Sequence, residues 1–171
     1  MGRRFHPRPR RLLTGLAAAA AGAALVASPG GAATGKTETL RLFEKTRSIQ
    51  LTKADGRVLD QLPIAEPQPG DVLDAVFDLH PGDHAKHGKT RLGSDHLRCE
   101  FVAGGPPKCV SHATIGRSML VVEGTPPRIT LGTGRYAGAT GRVISAKEVK
   151  QAPPSELAHN DIDVVAKVTL K

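Results

Sequence analysis

The sequence predicts an all-β fold, a small antiparallel barrel or sandwich, behind a cleavable export signal. Three observations carry this. Seven or eight short segments alternate apolar with polar residues or are rich in β-branched ones, and Gly, Pro, Asn and Asp separate them. Outside the N-terminal segment, no window much longer than ten residues keeps a helical period. Residues 129–141 (ITLGTGRYAGATG) gather four glycines and the only tyrosine between two β-rich runs. Glycine accepts positive φ and close backbone approach, so strand, tight glycine corner, strand is how a small antiparallel barrel turns.

The elements follow in order. Residues 1–33 have the anatomy of a secretory signal peptide: Arg3, Arg4, Arg8, Arg10 and Arg11 precede an apolar, Ala-rich run over 12–27, and small residues end at Ala33. Arg10-Arg11-Leu12-Leu13 resembles a twin-arginine signal. The alternative, a retained membrane anchor, needs a span of about 20 apolar residues, and the run is shorter. The expected product is secreted and free of the membrane, with residues 34–171 as a single domain. The chain holds 24 Lys and Arg against 16 Asp and Glu; losing five arginines and no acids leaves 19 against 16, a net charge of only +3. The basic balance is therefore mostly a targeting feature. With four phenylalanines, one tyrosine and no tryptophan to stack on bases, the sequence argues against a nucleic-acid partner.

The first predicted strand covers 39–46, with Leu40, Leu42 and Glu44 on one face and Arg41, Phe43 and Lys45 on the other. Asp55-Gly56 marks a turn, and Pro63, Pro67, Pro69 and Gly70 make a stiff connection. The next strand, 71–80, sets Leu73, Ala75, Phe77 and Leu79 against Val72, Asp74, Val76, Asp78 and His80. After a polar loop over 81–90, segments 95–103 and 109–114 form a hairpin around Gly104-Gly105-Pro106-Pro107. Strands follow at 117–123, 129–131 and 142–149, then a loop over 150–160. The last strand, 161–170, alternates strictly and has no Gly or Pro, as a barrel-closing strand should. The only cysteines, Cys99 and Cys109, flank the hairpin turn. In an exported chain such a pair reads as one cross-strand disulfide; the alternative is a buried free thiol with a chemical role.

This order of motifs, GDVLDAVFDLH, GSDHLRCEF, CVSHATIG, RSMLVVEG, ITLGTGRYAGATGRV and a closing strand, resembles the bacterial secreted branch of the allene oxide cyclase and dirigent barrel group. The resemblance spans 39–171. It implies an eight-stranded antiparallel, calycin-like β-barrel with a lumen for one small hydrophobic molecule. It implies no cofactor, and assembly into homo-oligomers. Dirigent proteins guide radical coupling without redox chemistry of their own. The plant cyclases use an acidic residue on the first strand, and Phe43-Glu44 matches their aromatic–acidic pair. Cys99 falls at a lumen cysteine of those enzymes, Thr46 replaces an asparagine, and the Ser-Pro that follows it there is missing.

Candidate chemistry centres on Glu44. In an apolar lumen its carboxyl would be raised in pKa and could donate or take a proton; at the barrel edge it would meet solvent or Arg142. Asp74, Asp78 and His80 form an acid–base set if their face is the lumen, and ordinary polar patterning if it faces water. His80, His84 and His87, with Asp78 and Asp83, raise a metal reading that a flexible, lysine-bearing loop without cysteine makes unattractive, so no metal is expected. Tyr136 reads as packing at the barrel end. Ser111-His112 lacks a nucleophile elbow. Gly132-x-Gly134-x-x-Ala137 lacks the helix a dinucleotide fingerprint needs. Three functions remain: a dirigent-like binder of a small apolar molecule, a cyclase acting on an unsaturated lipid or polyketide through Glu44, and a structural module without ligand. The lumen decides among them.

Overall fold

The computed structural model describes residues 35–60, 66–149 and 161–171. The expected export signal, Pro63 and the whole loop over 150–160 lie outside them. Nine antiparallel strands form one sheet: β1 (Thr37–Thr52), β2 (Val58–Leu59), β3 (Val72–Pro81), β4 (Gly93–Glu100), β5 (Lys108–Ile115), β6 (Ser118–Glu123), β7 (Arg128–Gly132), β8 (Thr140–Glu148) and β9 (Ile162–Thr169). Seven of them pair in sequence from β3 to β9, and β1 pairs with both β3 and β9, which closes a ring of eight. The two-residue β2 pairs only with the far end of β1. Closure removes the sheet edges, and with them the unpaired N–H and C=O groups an open sheet would expose.

β1 is 16 residues long, twice the length its pattern predicts. Its first half pairs with β9 and its second with β3; Leu42, Phe43 and Glu44 pair on both sides. A bulge between Thr46 and Ser48 shifts the alternation by one, so Ile49 and Leu51 turn inward where the period set by Leu40, Leu42 and Glu44 would point them out. Asp161, fully buried, receives the Thr46 backbone N–H on Oδ1 at 2.8 Å and holds the point where β1 leaves β9.

One barrel end is plugged. A 3₁₀ turn at Gly134–Tyr136 places Tyr136, 1% exposed, in a cluster with Leu120, Ile129, Ala139 and Val168. Glycine is required here: Gly134 sits at φ 60°, and a Cβ on Gly132 would overlap the Tyr136 carbonyl oxygen. The Arg135 guanidinium lies 4.7 Å over the Tyr136 ring and donates to Glu38 at 2.7 Å. A second cluster, Ile49, Ala75 and Phe77 with Leu73, Leu97 and Ile162 against it, lies toward the other end. There Cys99 and Cys109 are directly opposed on β4 and β5 and are joined by a disulfide. Asp71 ties the long β1–β3 connection beside it, accepting from the Lys53 ammonium and from the N–H groups of Ala54 and Gln68. No helix among the described residues is long and apolar enough to cross a membrane.

Candidate functional site

Directly paired residues share a face of the sheet. The register therefore traces the lumen around the barrel: Ile162 faces with Glu44, Glu44 with Leu79, Thr46 with Phe77, Phe77 with Asp95, Asp95 with Ala113 and Leu97 with Ser111. Glu44 thus points inward, not to an edge or to Arg142, whose side chain lies on the outer face opposite Arg128. It is 8% exposed, and Asp95 is 4% exposed.

Between the two apolar clusters the lumen thus holds a polar layer of Glu44, Thr46, Asp95 and Ser111. Ser111 Oγ donates to the Asp95 carboxylate, 2.7 Å from Oδ1 and 2.8 Å from Oδ2. Among the described residues Glu44 has no hydrogen-bond or ion-pair partner, and the Thr46 hydroxyl oxygen is buried without one. Burial pushes the Glu44 carboxyl well above the usual carboxylate range, and the charge of Asp95 pushes it further. Burial also raises Asp95, against the Ser111 hydroxyl, the His96 backbone N–H and the nearby His96 and His112 rings, which favour its anion. The two acids titrate as a unit. Glu44, with no donor, is pushed up the further of the two; the donors on Asp95 offset part of its burial.

Not every inward side chain around this layer is fully buried. Leu97, Ser111, Val122, Val143, Ile162 and Val164 all face inward by register, yet each stays half-buried. A cleft outside the lumen, between residues 70–72 and 100–103, holds neither acid of the pair.

The other candidates lie elsewhere. Asp74 and Asp78 face outward, paired with Arg98 at 3.0 Å and with Arg91 at 3.1 Å and Arg47 at 3.6 Å. His84 is held by Asp163, through its backbone N–H at 2.7 Å and its Nδ1 at 2.5 Å. The His87 ring stacks 4.6 Å from Phe43, and His80 bonds the Gly88 carbonyl at 3.1 Å. These contacts dock the loop after β3 over Phe43, which is outward-facing yet 2% exposed. Among the described residues no group of three or more His, Cys, Asp or Glu could hold a metal. Cys99 is bridged and offers no free thiol. Asp95 is the residue sequence reasoning missed. Its only signal is that it is in phase with Leu97 and Cys99 on the hairpin strand.

The sequence matches no family model and no curated protein. Among solved structures, a pyocyanin demethylase is similar with a TM-score of 0.51 at 17% identity, over 78% of this chain and 100% of that one. A pterocarpan synthase dirigent protein is similar with a TM-score of 0.51 at 15% identity, over 86% of this chain and 96% of that one. At such identities the likeness speaks to the fold: this chain has the eight-stranded barrel fold of dirigent-type proteins.

Proposed function

We propose that the protein is an exported, dirigent-like barrel that binds one small apolar molecule in its lumen, with Glu44, held protonated by burial first and by neighbouring Asp95 second, as a proton donor to it. The observation that carries this reading is the buried, inward-facing acid pair between two apolar clusters, with half-buried Leu97, Val122 and Val164 facing the same interior. Binding in an apolar cavity with a few polar groups is the common design of small-molecule sites. The two solved structures described above are named for small-molecule chemistry, a demethylase of pyocyanin and a dirigent pterocarpan synthase. The arginine-rich leader, together with the disulfide, supports export.

The test is titration of the processed protein with N-phenyl-1-naphthylamine, an uncharged fluorescent probe. The expected result is saturable enhancement at one probe per barrel, lost when Leu97→Trp fills the lumen. An unsaturable signal that ignores the Leu97→Trp change would refute lumen binding.

A second reading, a cyclase acting on an unsaturated lipid or polyketide, is favoured by the inward position of Glu44 next to Phe43, where the resemblance places the cyclase acid. A native ligand recovered by mass spectrometry from culture supernatant would then be isomerised by the wild type and not by Glu44→Gln. Turnover that survives the substitution removes that role.

A further inference from the structure

We propose that the lumen selects molecules carrying one cationic or basic nitrogen on an apolar body. This rests on the reading of the lumen as a binding site and names the ligand class.

The argument begins with the sign of the lumen. By register, the ionisable side chains that face inward from the described strands are Glu38, Glu44, Asp95 and Glu148, all acids. Every Lys, Arg and His on those strands faces outward: Lys45, Arg98 and Lys167 lie opposite outward partners, and Arg47 reaches the outward Asp78. Glu38 is already held by Arg135 at the plugged end, and Glu148, opposite Ile162, is exposed to solvent rather than buried. The middle of the lumen is thus left to Glu44 and Asp95.

The second observation concerns unmet bonding. Glu44 is more than nine-tenths buried, faces into the lumen and has no hydrogen-bond or ion-pair partner among the described residues. The Thr46 hydroxyl oxygen, two residues along on the same face, is also buried and unpartnered. Buried charges are ordinarily paired, and buried polar atoms ordinarily bonded. Three oxygen-bearing groups, Glu44, Thr46 and Asp95, converge here with one serine hydroxyl and no cation. A nitrogen with N–H donors supplies what is lacking: a positive charge opposite Asp95 and donors for the other oxygens. An anion would meet like charge, and a neutral alcohol would satisfy one oxygen and leave the charge uncompensated. Leu97, Val122 and Val164 offer the apolar wall for the rest of the molecule. A basic nitrogen that arrives neutral takes the proton of Glu44. The carboxyl O–H breaks, an N–H forms, and the Glu44 carboxylate stays as the counter-ion.

The pH dependence follows from the groups around the pair. Inward-facing titratable groups are Glu38 on β1, Asp95 on β4 and Glu148 on β8; Asp161 caps the β1 bulge, and His96 and His112 act on Asp95 from the outer face. β3, β5 and β9 contribute no inward titratable group.

The experiment titrates the processed protein with three fluorescent probes of one shape: 2-naphthylmethylammonium, 2-naphthylmethanol and 2-naphthoate. At pH 8 the ammonium should bind at least tenfold more tightly than the alcohol, with naphthoate weakest. At pH 4 the ammonium-to-alcohol preference should shrink as the pair takes up its protons. In Glu44→Gln/Asp95→Asn the preference should collapse toward one; the wild-type pH series carries the test if that variant does not fold. Alcohol binding as tight as ammonium, or naphthoate binding tightest, overturns the proposal and leaves the lumen-binding reading standing. If none of the three saturates, the lumen-binding reading falls and the proposal with it.

Discussion

Replacing Glu44 by glutamine should change how the stability of the barrel depends on pH. Glu44 and Asp95 both hold their protons more tightly in the folded chain, because burial penalises their charged forms. In the unfolded chain such carboxyls titrate near about 4.3 and 3.9. Between those values and the raised folded ones, the folded state carries the extra proton. Stability therefore falls as pH rises, by about 1.4 kcal/mol per pH unit for each proton involved. Below the unfolded values both states are protonated and the penalty is absent; above the folded values it is complete and the curve flattens. Asp71 runs the opposite way. Burial alone would raise it, but the Lys53 ammonium and the Gln68 and Ala54 N–H groups outweigh burial and lower it. Its contribution is complete above the ordinary carboxylate range and lost as pH drops below it. The descent from mildly acidic pH toward neutrality therefore belongs to the lumen pair.

Glutamine keeps the shape of Glu44 and cannot ionise, so Glu44→Gln removes one proton's worth of that slope and relieves the like-charge term on Asp95. Within the window the variant should gain steadily on the wild type as pH rises, by at most about 1.4 kcal/mol per pH unit, the limit for one proton. Urea unfolding with the disulfide intact, at steps from pH 4 to pH 8, measures this. Tyr136 is the only tyrosine in a chain without tryptophan, so its emission reports the plugged end while far-ultraviolet circular dichroism reports the sheet. Parallel stability curves for wild type and variant would show that Glu44 ionises in the folded protein as freely as in the unfolded one. The buried acid pair, and the proton-donor role built on it, would then be wrong.

Two further perturbations test the scaffold. Tyr136→Ala empties the plugged end of a side chain 1% exposed and should cost about 3–5 kcal/mol, as for other large-to-small changes of buried aromatics; a loss under about 1 kcal/mol would mean the end is not packed around that ring. Cys99→Ser/Cys109→Ser should lower stability by about 2–4 kcal/mol, read from the urea midpoint of the non-reduced protein, and two titratable thiols on the native wild type would contradict the bridge.

The fold was largely legible because closure depends on alternation, and alternation is what a sequence displays. The closing strand is the clearest case: Ile162, Val164, Ala166 and Val168 face inward, and the strand joins β1 to β8. The cysteines on either side of a Gly-Gly-Pro-Pro turn meet as a cross-strand pair. What alternation hides is a change of phase. The first strand reads as ending near Thr46 because the bulge there moves Ile49 and Leu51 onto the face that Glu44 occupies. A bulge leaves no residue type of its own in the sequence. The burial of Phe43 is hidden for another reason: it comes from a loop about 40 residues away, docked through His84 and His87.

The acid pair was half legible, and the missing half shows why. Glu44 stands out as a carboxylate in phase with Leu40 and Leu42. Asp95 is equally in phase with Leu97 and Cys99, but its strand also presents Ser94, His96 and Arg98, so a single strand does not say which face is wet. Three registers settle the matter in succession. β9 sets Glu44 beside Ile162, β1 sets Thr46 beside Phe77, and β3 sets Phe77 beside Asp95. Sliding either of the last two by one residue puts Asp95 on the opposite face from Glu44. The proton held on Glu44 is thus a property of strand pairing more than of either residue. It follows that a change at the β1 bulge, which sets the face of Thr46 and the residues after it, should disturb the chemistry of the lumen as surely as a change at Asp95 itself.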